Sequence, residues 1–552
     1  MTNIGERGGG AAVAGATSDE TALDEAAPGS QVKEAEITPP AEPAEPSGPA
    51  GPGPAKPDPE RRVRGIGFWA LVGRHRSFTA VLTIGVLVRV TALLGYRPAM
   101  WFNDSYDYLH AAMRPYPHPI RPNGYSFLLM VLRPFHSFAL VVTVQHIMGV
   151  AMAVMIYALL RRRFGLPGWG AALATVPVLL DAYQIQLEHV ILSDVPFTFL
   201  VVSAITLLLW RAQPSWRIGA AVGLVLGLAT LTRSVGLPVL FAVAVFMVVQ
   251  RMRWRVIAAM LAVCSLPMVA YMGWFQAVHG KFAMTESSGI FLYARVYKFA
   301  DCDKIKPPVH EIPLCVEPQH RLRFSQDGIW NRKSPLLRNE PERFSPTQNK
   351  LAGDFSKRAI MSQPDDYLKV MAGDFFRVFR WERTVFPDWA TYEQYEFREK
   401  PPPLPDWRMS RGATAAQEAA QYEQGRARPT VVEPFAGVMR TYQDHFYLRG
   451  TLLGVILLAG LAGLAASWRR FGGPALLPWI TSVGLLLAPA ATAEFDYRYI
   501  LPTVPLACLA AGIAFTPQAR ARLGRITWRR RRRDEEQEGR PEADRKTEPV
   551  SV

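Results

Sequence analysis

The sequence predicts an all-α polytopic membrane protein with about ten transmembrane helices. Apolar runs such as 195–210 and 474–493 recur too often for a soluble globular enzyme. Charge is also segregated: residues 1–60 contain 3 basic and 11 acidic residues, whereas the whole chain has a net charge of +15. Finally, arginines concentrate in alternate loops between the apolar runs, as the positive-inside rule requires of a membrane protein.

The two ends of the chain are predicted to be cytoplasmic tails. Residues 1–60 are rich in Ala, Gly, Pro and Glu, so they bury too little apolar surface to offset the entropy of ordering, and we expect them to be disordered. The segment 517–552 is basic from Arg529 to Arg533 and then acidic. A basic run beside a membrane span is typical of contact with anionic lipid. We therefore expect membrane lipids, and no nucleic acid, among the partners.

The apolar windows divide the membrane domain into two parts, with spans one to seven within 61–276 and spans eight to ten within 447–516. Ten arginines fall in the short loops of the predicted inner side and five in those of the outer side, which makes both termini cytoplasmic. The spans are predicted at 77–96, 137–160, 168–186, 195–210, 218–232, 236–250, 256–276, 448–467, 474–492 and 499–516.

Two segments are predicted to lie at or outside the outer membrane surface. Residues 123–135 are apolar but too short to cross, which predicts an interfacial or re-entrant helix in the first outer loop. Residues 277–446 are mostly polar and form an extracytoplasmic insertion of helical and irregular structure. Within it, residues 367–379 place apolar side chains on one helical face, which we expect to pack onto the membrane domain. Cys302 and Cys315 are predicted to form a disulfide in this oxidising compartment.

Ionisable residues collect at the outer ends of the predicted spans, where a bilayer penalises them. Loops are polar in general, and this explains any single residue. It explains less well why tight connections such as 188–194 and 494–499 are so rich in acids, Arg, His and Tyr. The candidate functional residues in the five outer connections are Asp104, Asp107, His189, Asp194, Arg233, Glu286, Asp496, Arg498 and Tyr499.

The order of these features resembles the C superfamily of glycosyltransferases, most closely the branch of protein O-mannosyltransferases and lipid A aminoarabinose transferases. The likeness covers roughly 75–300 and 445–516, and the insertion and the smaller number of spans depart from it. The motifs that carry it are DSYDY at 104–108, PNGY at 122–125, HVILSD at 189–194, GLATLTR at 227–233 and RYILP at 498–502. The resemblance implies a membrane enzyme that takes sugar from a polyprenyl-phosphate carrier.

The resemblance makes Asp104 the first choice for the catalytic base that takes a proton from a hydroxyl acceptor, with Asp107 in reserve. Alternatively, the two acids hold a divalent metal, and no other cofactor is predicted. Arg233 and Arg498 suit a lipid phosphate, with Tyr499 as an added donor. The remaining candidates, which are assigned to sugar or acceptor binding, are His189, Asp194, Glu286 and Asp496.

The predicted function is transfer of a hexose or pentose, with inversion, from a polyprenyl-phosphate carrier to an extracytoplasmic hydroxyl acceptor on a protein, glycan or lipid. The chain contains no GxxxxGK[ST] run, and no GxGxxG follows a strand, which counts against an ATP-driven pump and a nucleotide-sugar enzyme. One alternative is a transporter or flippase of lipid-linked sugars, which would place charges near mid-span. A membrane anchor that presents an outer binding domain is the other.

Overall fold

The computed structural model describes residues 73–322, 324–338, 342–409, 412–467 and 472–517. The tail predicted at 1–60 and nearly all of the tail predicted at 517–552 lie outside these ranges. Two of the inner-side arginines, Arg469 and Arg470, also lie outside them.

Helices account for most of the described structure up to residue 279. In chain order they are α1 (Arg76–Gly95), α2 (Asn103–Met113), α3 (Gly124–Leu132), α4 (Phe138–Ala158), α5 (Gly168–Leu173), α6 (Val176–Leu180), α7 (Ala182–Glu188), α8 (Asp194–Leu209), α9 (Trp216–Thr232), α10 (Gly236–Val249) and α11 (Trp254–His279).

The rest of the described chain is also helical, with short helices in the insertion and longer ones near the end. They are α12 (Ser288–Val296), α13 (Cys302–Ile305), α14 (Asp327–Trp330), α15 (Pro346–Ser362), α16 (Pro364–Arg377), α17 (Trp389–Tyr392), α18 (Ala415–Glu423), α19 (Phe435–His445), α20 (Gly450–Ala466), α21 (Leu476–Thr492) and α22 (Val504–Ala514).

Five helical segments of the described chain are long and apolar enough to cross a membrane. A sixth crossing results if α19 and α20, which are bent by 59° at their junction, form one span. Helices α8, α9 and α10 are apolar but have only 16, 17 and 14 residues. The described part of the chain is thus helical with five or six candidate spans, and the total of about ten stays a prediction. The five segments are Arg76–Gly95, Phe138–Arg163, Trp254–His279, Gly473–Thr492 and Tyr497–Ala514.

The region of the predicted third span, 168–186, is not one continuous helix but the three short helices α5, α6 and α7. Pro177 occupies the first turn of α6, where its missing N–H costs nothing. Asp181 then caps α7, because its carboxylate accepts the backbone N–H of Tyr183 at 3.3 Å. The break leaves the carbonyls at the end of α6 without partners in the helix, and Arg89 of α1 donates to the Leu179 carbonyl at 2.7 Å.

Helices α9 and α11 pack against each other through glycines. Gly219, Gly223 and Gly227 recur every fourth residue, so they form one stripe along α9. A Cβ at Gly223 would lie 2.2 Å from the Met260 carbonyl oxygen, and one at Gly219 would lie 2.4 Å from that of Val256. Only glycine permits this close approach of two backbones, which is a common solution for helix pairs in membranes.

The insertion at 277–446 contributes to two different hydrophobic cores. Residues between 290 and 359 form a core of their own, with Tyr293 and Phe355 at its centre. Residues between 378 and 439 instead share a core with residues of the membrane helices. The two-residue strands reinforce this connection, because β1 (Tyr96–Arg97) pairs antiparallel with β2 (Thr430–Val431). The second half of the insertion is therefore fixed against the C-terminal end of α1.

Helix α16 covers most of the predicted 367–379 segment and packs against α21 of the membrane part. The Tyr367 hydroxyl donates to the Ala491 carbonyl at 3.0 Å. Asp374, on the same helix, accepts two hydrogen bonds from Arg295, at 2.5 and 2.8 Å, and one from the Phe495 backbone N–H at 3.3 Å. This buried ion pair joins the two halves of the insertion to the loop before the last span.

The sulfurs of Cys302 and Cys315 are bonded, with Cα atoms 6.0 Å apart. The bond joins α13 to the end of the 3₁₀-helix Val309–Leu314. The two free cysteines, Cys264 and Cys508, are buried within helices α11 and α22.

Candidate active site

Asp104 lies at the centre of a charged cluster formed by loops between the membrane helices. It occupies the first turn of α2, where the partial positive charge of the helix terminus favours a carboxylate. Its Oδ2 atom is 2.8 Å from Nη1 of Arg121 and accepts a hydrogen bond of 2.7 Å from Nη1 of Arg498. A single carboxylate oxygen therefore joins the loop after α1 to the start of the last candidate span.

Asp107 lies one turn further along α2 and faces the same arginine. Its Oδ2 atom is 3.3 Å from Nη2 of Arg121, and its Oδ1 atom is 4.0 Å from Nε2 of His118. The two acids thus share one side of the helix, as their spacing predicts. They form a three-residue group with Arg121, whose guanidinium also lies over the Tyr108 ring at 5.3 Å.

The pKa values of the two carboxyl groups are shifted in opposite directions. Burial tends to raise the pKa of Asp104, but the Arg121 and Arg498 guanidiniums outweigh it and hold that pKa well below its usual range. Burial raises the pKa of Asp107 above its ordinary value, and the lowering by Arg121 does not cancel this, since the Asp104 charge adds to the increase. Burial also lowers the pKa of His118 to about 3, so this neighbour is neutral. Asp107 is therefore the better proton acceptor of the pair.

Arg498 is held by groups from three parts of the chain. It lies in the 3₁₀-helix Tyr497–Tyr499, which Asp496 caps by accepting the Arg498 backbone N–H at 3.3 Å. Its Nε atom is 3.4 Å from Asp496 Oδ2, and its guanidinium lies 4.8 Å from the centre of the Phe102 ring. The Tyr395 hydroxyl of the insertion donates in turn to Asp496. This shell fixes the guanidinium before any ligand binds, which is a requirement for electrostatic catalysis.

A second arginine–carboxylate pair adjoins the first. Arg233 follows the last residue of α9 and pairs with Asp194, the first residue of α8. The Arg233 guanidinium lies 5.4 Å from the Tyr499 ring centre, and that of Arg498 lies 5.2 Å from the same ring. Both guanidiniums thus contact the same ring, and both arginine pairs belong to one cluster.

The cluster opens into a cavity of about 1140 Å³. Six of the predicted site residues line it: Asp104, Asp107, Arg233, Asp496, Arg498 and Tyr499. Asp194 reaches the cavity only through Arg233. One flank is apolar, since Leu237 and Pro238 of α10 face it together with Leu485, Ala488 and Pro489 of α21. The cavity therefore combines charged groups with an apolar wall that helices α10 and α21 form.

His189 and Glu286 do not line this cavity. His189 is fully buried, and its ring contacts the Tyr96 carbonyl at 2.6 Å and His146 at 3.1 Å. Glu286 lies 2.7 Å from Lys281 and lines a separate cavity of about 680 Å³. The structure therefore brings the other seven predicted residues together and places these two elsewhere.

His189 belongs to a buried polar network inside the membrane part. Arg89 donates to both carboxylate oxygens of Glu188, at 2.7 and 2.8 Å, and His146 contacts the same carboxylate at 2.9 Å. The Met100 backbone N–H donates to the His189 carbonyl at 3.0 Å. The network thus joins α1, α4 and α7, and its contact with the Met100 backbone reaches the segment that precedes α2.

Arg121 is the main site residue that the sequence did not single out. It directly precedes the PNGY motif at 122–125, so its position in the chain was a usable signal. Its importance depends on contacts with both Asp104 and Asp107, and these exist only in the folded chain.

If a divalent metal were bound by Asp104 and Asp107, it would share these carboxylates with the Arg121 guanidinium. Over the residues that the structure describes, no group of three or more His, Cys, Asp or Glu side chains could hold a metal ion. Because Arg121 lies beside both Asp104 and Asp107, a metal at this pair would have to displace or oppose its positive charge.

Comparisons with known proteins give matches among solved structures only. No family model and no curated protein matches the chain. The oligosaccharyltransferase of Archaeoglobus fulgidus matches with 14% identity and a TM-score of 0.35, over 79% of this chain and 50% of that one. The chain thus spans about half the length of that enzyme. A matched structure of the oligosaccharyltransferase AglB from the same organism contains a dolichol-phosphate and an inhibitory peptide.

A second solved structure, ArnT from Cupriavidus metallidurans, matches with 15% identity and a TM-score of 0.31, over 80% of this chain and 78% of that one. Both matched proteins are C-superfamily glycosyltransferases, the superfamily that the sequence motifs resemble. At these identities and TM-scores the likeness carries no weight for function, so the proposals below rest on the residues of the charged cluster.

Proposed function

We propose that the protein is an integral membrane glycosyltransferase that moves a sugar from a polyprenyl-phosphate carrier to a hydroxyl acceptor. The observation that carries this proposal is the position of Asp104 between Arg121 and Arg498, with Asp107 and Arg233 beside them on one cavity. Fixed cations suit a leaving phosphate, and a neighbouring carboxylate of raised pKa suits proton removal.

The donor would bind across the charged and the apolar parts of the cavity. Arg498 and Arg233 would contact the phosphate, and the Tyr499 hydroxyl, which accepts from Nη2 of Arg498 at 3.3 Å, would donate to it. The prenyl chain would follow the wall of Leu237 and Leu485 toward the lipid. An apolar wall next to fixed arginines matches a lipid phosphate better than a free nucleotide sugar, whose base and ribose are polar.

Asp107 is the base that the geometry favours, in place of Asp104. In the proposed step the acceptor oxygen forms a bond with the anomeric carbon, and its proton passes to Asp107. The bond from that carbon to the phosphate oxygen breaks, and its electron pair leaves with the polyprenyl phosphate. Direct displacement inverts the anomeric centre. Asp104 instead holds Arg121 and Arg498 in place, and these two guanidiniums keep the pKa of its carboxyl low.

The finer topology belongs to the same proposal. Both termini would be cytoplasmic and the cluster extracytoplasmic, because the arginine bias of the short loops favours that orientation. A total of about ten crossings would require α8, α9 and α10 to span despite their length, which a locally thinner bilayer or flanking arginines can accommodate.

The direct test is donor turnover by the full-length protein in lipid nanodiscs. A polyprenyl-phosphate hexose or pentose carrying a labelled sugar should lose that sugar to an acceptor or, more slowly, to water. The Arg498→Ala variant serves as the control for background hydrolysis. If the donor stays intact under all conditions while the protein moves it between the leaflets of a vesicle, the transporter alternative is correct.

The transporter alternative would require mobile charges near mid-span. The ionisable groups deep in the membrane part, Arg89, Glu188 and His146, pair with one another and do not line the 1140 Å³ cavity. Their arrangement is that of a fixed structural network, so no observation on these residues favours transport.

A further inference from the structure

The insertion lines part of the 1140 Å³ cavity with residues that differ in character from those of the charged cluster. Trp330 of α14 and Trp407 both line it and keep 45% and 52% of their surfaces exposed. Large aromatic surfaces left exposed on a polar cavity wall mark a binding site rather than a core. The two side chains are therefore candidates for direct contact with an acceptor.

Both tryptophans are held in place by neighbouring groups. Trp407 meets Tyr106 edge-on at 5.6 Å between ring centres, and Tyr106 stacks on Trp101 at 5.3 Å. The Trp330 indole N–H donates to the Gln326 side chain at 3.1 Å. Rigid indole faces bind the C–H faces of sugar rings well, because they offer a large contact area at a small cost in side-chain entropy.

Charge separates the lining residues of the insertion from those of the charged cluster. The cationic residues that line the described cavity, Arg121, Arg233 and Arg498, all belong to the charged cluster. The insertion contributes the acids Asp327 and Asp388 and the Gln326 amide. An anionic acceptor would meet repulsion there, whereas the hydroxyls of a neutral sugar can donate to carboxylates.

These acids keep capacity for a ligand. Asp388 accepts the Thr391 backbone N–H at 2.9 Å and the Thr391 hydroxyl at 3.0 Å, and Asp327 accepts the Phe324 backbone N–H at 3.0 Å. An ionised carboxylate offers about four acceptor positions, so each can also receive a sugar hydroxyl. A peptide acceptor is less well served, since the described strand pair β1–β2 does not line the cavity.

We propose that the acceptor is a neutral oligosaccharide whose last residues stack on Trp407 and Trp330, with its reacting hydroxyl directed to Asp107. This inference rests on the proposed function, because it assigns the acceptor of the same site. It selects the glycan among the protein, glycan and lipid acceptors that the sequence left open.

The test compares acceptors with the full-length protein and a labelled polyprenyl-phosphate sugar. Neutral oligosaccharides of one to six hexoses should accept the sugar, with KM falling as length increases to three or four units. A sulfated oligosaccharide of equal length and a Ser/Thr peptide should accept it at least ~10-fold less efficiently. Preference for the peptide or the anionic glycan would overturn the inference while leaving the proposed glycosyl transfer intact.

Variants assign the effect to the two indoles. Trp407→Ala and Trp330→Ala should each raise the oligosaccharide KM by roughly 10-fold, the effect of one lost stacking contact, while kcat and the KM of the donor stay unchanged. The matched control is Trp381→Ala, because Trp381 is 54% exposed but does not line the cavity. An unchanged acceptor KM in both cavity variants, or an equal rise in the control, would contradict the proposal.

A binding measurement without donor separates this inference from the proposed function. Calorimetry with the neutral hexose oligosaccharide should show binding to the unsubstituted protein and at least ~10-fold weaker binding to Trp407→Ala. If that result is obtained but no donor is ever consumed, the carbohydrate site stands and the transferase proposal fails. If the oligosaccharide does not bind, the acceptor assignment is wrong regardless of donor turnover.

Discussion

Nη1 of Arg498 lies 2.7 Å from Oδ2 of Asp104, although 394 positions separate the two residues in the chain. The contact joins the loop after α1 to the start of the last candidate span. Because Arg121 is bound to the same oxygen, the pair forms a preorganised charged centre rather than an isolated ion pair. Under the proposed function, Asp104 therefore orients the two arginines, and Asp107 is left to accept the proton.

Asp107→Asn should reduce kcat for sugar transfer by about 10²–10⁴-fold, because an amide cannot take the proton of the attacking hydroxyl. Donor KM should change little, since Arg498 and Arg233 stay in place. Asp104→Asn should instead raise donor KM as well, because it releases both arginines. Asp365→Asn, at an exposed position of the insertion, is the charge-removal control. If Asp107→Asn kept a near-normal kcat while Asp104→Asn lost kcat, Asp104 would be the base.

A chelator separates the metal alternative from this assignment. If the two acids hold a divalent metal, EDTA should abolish transfer and an added divalent cation should restore it. A carboxylate that acts only as a base should retain full activity in EDTA, and we expect this result.

The pH dependence of kcat distinguishes the same two acids. Asp107 works as a base only when ionised, and burial raises the pKa of its carboxyl above the ordinary 3.8. Activity should therefore be full above that raised pKa and fall as the pH decreases through it, with a midpoint above 3.8. If Asp104 were the base, the depressed pKa of its carboxyl would place the midpoint below 3.8. Steady-state rates with saturating donor measure the midpoint, and Asp107→Asn should lose this acid limb.

Arg498→Ala should reduce turnover by at least ~100-fold, the scale of losing a preorganised transition-state contact. Arg498→Lys should recover only part of the activity, since an ammonium keeps the charge but not the planar fork. Arg121→Ala should have a comparable effect to Arg498→Ala, because both guanidiniums hold Asp104. Arg428→Ala, at an exposed position, serves as the control and should retain activity. Full turnover in Arg498→Ala would remove this residue from the site.

Gly149→Ala should destabilise the membrane part, because a Cβ there would lie 1.9 Å from Oε1 of Glu188. The added methyl would separate Glu188 from Arg89, and breaking a buried ion pair costs about 3–5 kcal/mol. Gly273→Ala is the matched control, since a Cβ at Gly273 meets nothing within 4 Å. Thermal unfolding of the purified protein in detergent should show a clear loss for Gly149→Ala alone. Equal melting temperatures for the two variants would exclude this role for the network.

The proposed orientation can be tested with Met361→Cys, because Met361 of the insertion is 75% exposed. The natural cysteines give little background, since Cys264 and Cys508 are buried and the other two are bonded to each other. An impermeant maleimide should label Met361→Cys in intact cells. Labelling only after lysis would place the insertion inside and overturn the topology.

The sequence determined the all-α membrane class of the fold and indicated most of the residues that form the charged cluster. Apolar runs of span length report membrane helices directly, because hydropathy acts locally along the chain, whereas the sidedness that the arginine-rich loops favour stays a prediction. Acids and arginines at span ends were visible for the same reason, so Asp104, Asp194, Arg233 and Arg498 could be selected before any contact was known.

Only the tertiary structure decided which of these residues work together and how. Arg121 belongs to the candidate site because it contacts two of its acids. His189, which the sequence had suggested, lies outside the site because it is buried against His146. The relative proton affinities of Asp104 and Asp107 depend on which guanidiniums lie within about 3 Å of each carboxylate. Electrostatic effects fall off with distance in space rather than in sequence, and the 394-residue separation of Arg498 and Asp104 leaves no local signal in the chain.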